Sequence, residues 1–186
     1  MQEKPIRKRD AEASRARILD AAQRAFSETG YSHSGIREIA RLAETSSTLL
    51  LRYFGSKAGL FEAALREAMP ASETLKVARG DYAERLADAL LDPANVIRPP
   101  LMIALASGDA EAAAIAARVS EEHAIAPLAE WLGGKDARPR ALAIAMAATG
   151  FVTYLRQLPL ERLSPSEVET LRRWFVGSVQ ALVDAD

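Results

Sequence analysis

Residues 46–61 read SSTLLLRYFGSKAGLF, with three adjacent leucines followed by an arginine and two aromatic residues. Consecutive residues of a helix are turned by about 100° from one another, so the three adjacent leucines cannot all face one core. A helical wheel over residues 47–54 puts Leu50 and Phe54 on a narrow inner stripe. The outward arc carries Ser47, Thr48, Leu51 and Arg52. The stretch therefore predicts a short helix that packs by one stripe and leaves its other face free.

This helix needs neighbours, because a helix of fewer than about 12 residues is marginal alone in water. The residues before it predict a second short helix, with Ser34 as its N-cap. The inner positions of that helix are Ile36, Ile39, Ala40 and Ala43. A turn at residues 44–47 joins the two helices, and Ser46 can cap the second one. Two short helices joined in this way are typical of a helix-turn-helix.

Two more helices flank the pair. The first carries a stripe of apolar residues and ends near Gly30, a glycine suited to a left-handed C-cap. That stripe consists of Ile18, Leu19, Ala22 and Phe26. The other follows Gly55, which ends the helix of the opening stretch, and Ser56 can cap it. The first 65 residues or so therefore predict a compact cluster of short helices.

The composition is that of an ordinary globular protein, with 49% hydrophobic and 26% charged residues among 186. The absence of cysteine excludes disulfides and thiolate chemistry, and it fits a reducing cytoplasm, where we expect the protein to act. The net charge of −1 conceals an asymmetry. Residues 1–66 hold 12 Lys/Arg against 8 Asp/Glu, whereas residues 67–186 hold 12 against 17. A basic N-terminal part followed by an acidic remainder indicates an anionic partner for the N-terminal part.

The rest of the chain predicts longer, alanine-rich helices and no strands, so the fold class is all-α. We expect helices over residues 72–91, 95–106, 110–132, 138–158 and 165–183. The last has the clearest start, because Ser164 and Glu167 form the pattern of a capping box around Pro165. The longest uncharged stretch, residues 141–155, is shorter than the roughly 20 residues that span a bilayer. We therefore expect no membrane segment.

The motifs of residues 18–61 resemble the DNA-binding domain of the TetR (tetracycline-repressor) family of bacterial transcription regulators. The matching positions are Phe26, Gly30, Tyr31, Ile39, Ala40, Tyr53, Phe54, Lys57 and Leu60. The resemblance implies a three-helix DNA-binding domain followed by a helical ligand-binding and dimerisation domain, about nine helices in all. The expected domains are a flexible basic arm at 1–10, a helix-turn-helix domain at 11–56 and the second domain at 57–186. The chain departs from the family at Glu44 and Thr45, where glycine and an aliphatic residue are usual.

The resemblance also implies site residues for a double-stranded DNA operator. Base contacts would come from Ser47, Thr48, Leu51 and Arg52, since Arg52 can read guanine and Leu51 can pack on a thymine methyl. Phosphate contacts would come from Tyr53 and Lys57, and Ser34 and Arg37 at the start of the preceding helix are further phosphate candidates. Lys57 stands in the first turn of a helix, where backbone amides already favour an anion. The alternative is that Arg52 and Lys57 are solvated surface charges.

The second domain would supply a homodimer seam and a pocket for an unknown small-molecule effector. The expected seam residues are Met146, Gly150, Leu171, Phe175, Ser178, Val179 and Leu182. The expected pocket residues are Met69, Leu86, Leu90, Met102, Leu105, His123 and Tyr154. For both sets the alternative is an ordinary buried core, because apolar positions at helical spacing form a core in any helical protein.

The sequence therefore predicts a ligand-responsive transcriptional repressor that binds a palindromic operator as a homodimer. The alternative is a small-molecule sensor that has lost operator binding, which Glu44 and Thr45 favour. An enzyme has little support, because no catalytic constellation or phosphate-binding loop appears. His33 and His123 are far apart in sequence, so we expect no metal site and no cofactor.

Overall fold

The computed structural model describes residues 4–69 and 75–185, with side chains described from residue 11 onward, and these residues contain helices and no strand. The all-α prediction is confirmed. The helices are α1 (Lys4–Glu28), α2 (Gly30–His33), α3 (Ile36–Leu42), α4 (Ser47–Phe54), α5 (Lys57–Glu67), α6 (Tyr82–Leu91), α7 (Pro99–Ala106), α8 (Ala110–Ser120), α9 (Ala126–Leu132), α10 (Ala137–Val152) and α11 (Pro165–Asp184). A 3₁₀ turn covers Arg79–Asp81, and π-helical segments cover Glu121–Ile125 and Thr153–Gln157.

The chain divides into two compact units, and the division differs from the expected domains. The first unit contains the residues up to Met69 together with Leu101–Val119, and the second contains Pro70–Pro100 and the residues from Ser120. Helix α5 packs extensively on α1 within the first unit, although the expected boundary lay at residue 56. The first unit therefore includes α5 and almost all of α8, which the expected domains placed in the second domain.

The first unit has a core of fully buried aromatic and aliphatic side chains from α1, α4 and α5. Phe26 and Phe61 meet edge to face with ring centroids 5.1 Å apart, and Leu50 is fully buried beside them in the same cluster. The start of α5 approaches α4 so closely that a Cβ on Gly59 would lie 2.2 Å from the carbonyl oxygen of Phe54. Only glycine fits at that position, which fixes where α5 begins relative to α4.

The second unit has a separate core built from α6, α9, α10 and α11. The rings of Phe151 and Phe175 stack with centroids 4.3 Å apart, and Val179 is fully buried one turn further along α11. The predicted capping box opens α11: the hydroxyl of Ser164 accepts from the amide of Glu167, and the carboxylate of Glu167 accepts from the amide of Ser164. This start of α11 was predicted correctly from the sequence.

Three local expectations need correction. Ser34 does not cap α3: Gly35 is the N-cap, and the hydroxyl of Ser34 instead donates to the carbonyl oxygen of Gly30 at 2.7 Å. The predicted helix over 72–91 begins only at Tyr82, since residues 75–78 are not helical, and its part at 72–74 lies outside the described residues. The predicted helix over 95–106 begins only at Pro99, since residues 95–98 are not helical. Helix α1 covers residues 4–10 of the predicted arm, residues 1–3 lie outside the described part, and the flexibility of the arm stays a prediction.

No helix in the described part of the chain combines the length and the apolar character needed to cross a bilayer.

Candidate nucleic-acid interface

Helices α3 and α4 are joined by a tight turn that ends α3 in a Schellman motif. The amide of Thr45 donates to the carbonyl oxygen of Ala40 at 2.9 Å, and the amide of Glu44 donates to that of Arg41 at 3.1 Å. This pattern requires a left-handed residue at Glu44, whose φ is 51°. The turn therefore forms with the geometry of a helix-turn-helix, although a glutamate occupies a position that favours glycine.

We expect Glu44→Gly to raise the free energy of unfolding by about 1 kcal/mol. A side chain in the left-handed region costs roughly that much, and glycine removes the cost. The matched control is Gly55→Ala, because Gly55 has a φ of 74° and a Cβ there would meet nothing within 4 Å. Backbone strain alone should then lower stability by about 1 kcal/mol. Urea unfolding of both variants measures the two shifts, and equal signs for the two would contradict this account.

Helix α4 has the orientation that the helical wheel predicted. Its N-cap Ser46 accepts a hydrogen bond from the amide of Leu49 at 3.1 Å, which fixes the first turn. Leu50 is fully buried in the first core, whereas Leu51 is 40% exposed. Among the other expected base-contact residues, Thr48 and Arg52 are exposed and Ser47 is half-buried. The outward arc is thus an open polar surface with one aliphatic side chain at its centre.

The four expected phosphate-contact residues are placed differently from one another. Arg37 is exposed on α3, and Lys57 is half-buried at the start of α5. The hydroxyl of Tyr53 donates to the carbonyl oxygen of Ala11 at 3.4 Å, so this ring ties the end of α4 to α1. Ser34 is buried, and its hydroxyl also lies 2.8 Å from that of Thr29. A phosphate contact by the Ser34 side chain would require these internal bonds to break.

Two further residues contact aromatic side chains of this unit without having been predicted. The guanidinium of Arg15 lies 5.7 Å from the ring centroid of Phe54, and its side chain is exposed beside the end of α4. The periodicity of α1 was the available signal, since Arg15 stands one turn before the buried pair Ile18 and Leu19. The second residue is Glu111, which accepts a hydrogen bond from Tyr31 at 2.8 Å. No sequence signal links residues 80 positions apart.

The expected pocket residues divide between the two units. Met102 is buried in the core of the first unit, where Met69 packs against the same core and Leu105 is 42% exposed. In the second unit, Leu90 is buried in the second core and the partly buried Leu86 packs against it. His123 lies in a π-helical segment, and Tyr154 is 61% exposed. Tyr154 lines an apolar cavity of about 460 Å³. The other cavity walls are Met146, Ala147, Gly150, Phe151, Leu155, Leu160, Leu163, Leu171 and Trp174.

The expected seam residues fall into two groups. Phe175 and Val179 are fully buried inside the chain's own second core, so their side chains are not available to a partner. Met146 is 66% exposed, and Gly150 and Leu171 line the apolar cavity. Ser178 and Leu182 are half-buried on α11. Compared with the expected seam, the exposed apolar face of this unit therefore lies closer to α10 and to Trp174, which is 57% exposed.

A capped helix that buries one leucine and exposes a polar arc, joined by a tight turn to a shorter helix, defines a helix-turn-helix DNA-binding protein. Sequence comparison identifies the particular family. The profile described as "Bacterial regulatory proteins, tetR family" matches residues 18–64. The profile described as "Tetracyclin repressor-like, C-terminal domain" matches residues 80–183. The chain belongs to the TetR family of bacterial transcriptional regulators, which confirms the resemblance found in its motifs.

Individual relatives agree with this assignment. The HTH-type transcriptional regulator RutR of Escherichia coli strain K12 is 40% identical over 78 residues, which are 41% of this chain and only 37% of RutR. The crystal structure of a TetR-family regulator from Rhodococcus sp. has a TM-score of 0.72 at 19% identity, covering 93% of this chain and 100% of that one. NalD, the secondary repressor of the MexAB-OprM multidrug efflux pump in Pseudomonas aeruginosa, has a TM-score of 0.61 at 18% identity, with coverages of 91% and 96%. These two structural likenesses concern the fold alone.

Proposed function

We propose that this regulator is a cytoplasmic repressor that binds a palindromic operator as a homodimer and is released by a small molecule. The main support for DNA binding is the outward arc of α4, where Thr48, Leu51 and Arg52 are exposed while the buried Leu50 anchors the helix. A helix presented in this way enters the major groove and reads base edges. Arg52 is the base-reading cation, and Lys57 holds a phosphate from the start of α5.

Titrating the purified protein against its own upstream promoter DNA at two salt concentrations tests the proposal. A repressor should bind one palindromic site, with half-sites about one helical turn apart, far more tightly than a scrambled duplex. The alternative is a small-molecule sensor without operator binding, and the strained Glu44 in the helix-turn-helix turn is the observation that favours it. Equal, salt-sensitive binding to both duplexes would favour that alternative.

We expect Arg52→Ala and Lys57→Ala to weaken DNA binding in different ways. Loss of the base-reading arginine should cost about 1–3 kcal/mol on the operator and relax preference at one base pair in each half-site. Loss of the lysine should weaken operator and scrambled DNA alike, and should flatten the salt dependence by about 0.9 units for each phosphate that the lysine neutralises. Fluorescence anisotropy across a salt series measures both effects.

The matched control for these two variants is Arg24→Ala. Arg24 is exposed on α1 and pairs with Asp20 at 3.3 Å, so the substitution removes the same charge without touching the arc. It should leave operator preference unchanged. If Arg52→Ala behaves like this control at every salt concentration, then α4 is only a packing helix and does not read DNA.

The dimer in this proposal uses the exposed apolar face of the second unit. Met146 and Trp174 are large apolar side chains with more than half of their surface exposed, and both border the apolar cavity. Exposed apolar surface of this kind is uncommon on a monomer and typical of an association site. A second copy would cover it and would also supply the two-fold symmetry that a palindromic operator requires.

The effector in this proposal is a small apolar or amphipathic molecule bound by the second unit. The support is the match of residues 80–183 to the C-terminal domain of tetracycline-repressor-like proteins. An effector weakens DNA binding only if it prefers a conformation with wrongly spaced half-sites. Measuring melting temperature and operator affinity with a panel of lipophilic compounds would identify the effector.

We expect Leu86→Trp to reduce the effect of the effector on DNA binding while leaving operator affinity unchanged, because the substitution adds bulk at the edge of the second core.

A further inference from the structure

Tyr31 is held on three sides inside the first unit. Its ring stacks on Phe26 with centroids 6.0 Å apart and meets Phe61 edge to face at 5.3 Å. Its hydroxyl donates to Oε2 of Glu111 on α8 at 2.8 Å. Burial, and next the hydrogen bond to Glu111, raise the pKa of Tyr31 to about 12. The phenol therefore stays protonated and keeps donating to the carboxylate throughout the neutral pH range.

A lysine ammonium lies over the ring of Tyr31. The ammonium of Lys57 lies 4.4 Å from the ring centroid, and it is 3.5 Å from the carbonyl oxygen of Ser32. A cation over an aromatic face is attracted by the negative charge of the π system. Donation of the phenol proton toward a carboxylate increases that negative charge, because it shifts electron density onto the ring. Glu111 thus strengthens the attraction that fixes Lys57, without touching Lys57 itself.

We infer that Glu111 is a positioning residue for DNA binding, which acts through the ring of Tyr31 to hold the ammonium of Lys57 where it meets a backbone phosphate. The inference rests on the proposed phosphate contact of Lys57. A lysine side chain has many rotamers, so an ammonium fixed in advance loses less freedom when the phosphate arrives. Glu111, which holds the ammonium of Lys57 in place through Tyr31, lies in α8, 54 positions beyond Lys57 along the chain.

General electrostatics predicts the opposite effect of Glu111, and this makes the inference testable. A carboxylate in a DNA-binding unit repels phosphates, so neutralising it should strengthen DNA binding. If Glu111 positions Lys57, then Glu111→Gln should weaken binding instead. The matched control is Glu62→Gln: Glu62 also receives hydrogen bonds from α8, from Arg118 at 2.8 Å, but its described hydrogen-bond partners are Arg118 and Arg66 and not Tyr31. The control removes the same charge and should leave operator affinity unchanged or raise it.

The experiment measures operator affinity of the full chain across a salt series for Glu111→Gln, Tyr31→Phe and Lys57→Ala, and for each of the first two combined with Lys57→Ala. We expect Glu111→Gln and Tyr31→Phe each to weaken binding about three-fold and to give salt slopes between those of the wild type and Lys57→Ala. In the Lys57→Ala background neither should have any further effect. Tyr31→Phe keeps the ring and removes only the donor, so it tests the polarisation itself.

Three outcomes would overturn the inference. The first is that Glu111→Gln leaves binding unchanged or strengthens it, as expected for the Glu62→Gln control. The second is that it weakens binding equally with and without Lys57, and the third is that Lys57→Ala leaves the salt slope unchanged. Equal weakening would identify the Tyr31–Glu111 bond as a purely structural link between α8 and the helix-turn-helix. Failure of the proposed function looks different, because the wild-type protein itself would then show no preference for its operator.

Discussion

Phe175→Ala is expected to lower the free energy of unfolding by about 3–5 kcal/mol, the range for removing a large aromatic side chain from a core. Phe175 is fully buried and stacks on Phe151 with centroids 4.3 Å apart. Truncation would leave a cavity between α10 and α11 and would also remove the stacking contact. For a chain of this length the melting temperature should fall by roughly 6–20 °C. Thermal and urea unfolding followed by circular dichroism measure the loss.

The neighbouring residue provides the matched control. Trp174 is 57% exposed, so Trp174→Glu should keep the helical fold while introducing a charge into the proposed dimer face. Sedimentation should then find the mass of one 20.1 kDa chain in place of a dimer of about twice that mass. The reverse result, in which Phe175→Ala gives a folded monomer and Trp174→Glu stays dimeric, would show that the sequence-based seam was correct and that the buried aromatic pair is not a core contact.

The helix-turn-helix was predictable because its determinants are local. A period of 3.6 residues placed Leu50 inward and Leu51 outward, and serines before α4 and α5 marked their N-caps. Gly30 and Gly55 both have the positive φ expected of residues that end helices. Ser34 is the exception among the caps. Its hydroxyl found a closer acceptor in the carbonyl of Gly30, and an extended glycine took the cap position instead.

The composition of the DNA-binding unit was not predictable from local pattern. Residues 101–119 pack with the helix-turn-helix, although an alanine-rich helix such as α8 has no signal for its packing partner. The hydrogen bond from Tyr31 to Glu111 and the ion pair between Glu62 and Arg118 both join positions more than 50 residues apart. Long-range pairs of this kind depend on the tertiary fold, which the local periodicity of a single sequence does not reveal.

The expected dimer seam also depends on the tertiary fold, which helical periodicity alone does not reveal. Periodicity correctly identified one apolar stripe on α11, with Phe175 and Val179 at its centre. A stripe only states that a helix face is buried, and it does not state whether the partner is the same chain or a second copy. The structure packs both residues against the chain's own helices. Of the large side chains left exposed, Met146 on α10 was an expected seam residue, whereas Trp174 lies at the edge of the α11 stripe.

Arg140→Met is expected to lower the free energy of unfolding by about 3 kcal/mol, the second large effect. Arg140 is only 6% exposed, and its described partners are backbone carbonyls at the ends of two helices. It donates to Leu182 at 3.1 Å and to Ala185 at 2.5 Å, both at the end of α11, and also to Gly133, the C-cap of α9. Carbonyls at a helix end have no partner within the helix, so one guanidinium completes two helix ends at once.

The size of the effect follows from opposing contributions. Each hydrogen bond from a charged donor contributes about 1.5–3 kcal/mol, and the carbonyls would lose these donors together. Removing a buried guanidinium offsets part of the loss, since burial of a charge is unfavourable and Nε of Arg140 has no hydrogen-bond partner among the described residues. The net loss should therefore be close to that of one or two such bonds.

Two further variants separate this account from a general effect of losing an arginine. Arg138→Met, two residues earlier on the same helix, removes an exposed side chain paired with Glu121 at 2.8 Å, and should leave the urea midpoint unchanged within error. Arg140→Lys keeps the charge but loses the planar fork, so a single ammonium cannot reach carbonyls on both helix ends and stability should fall part of the way. Full stability in Arg140→Lys would mean that charge near the end of α11 suffices. In that case the planar guanidinium of Arg140 would not be needed to join the ends of α9 and α11.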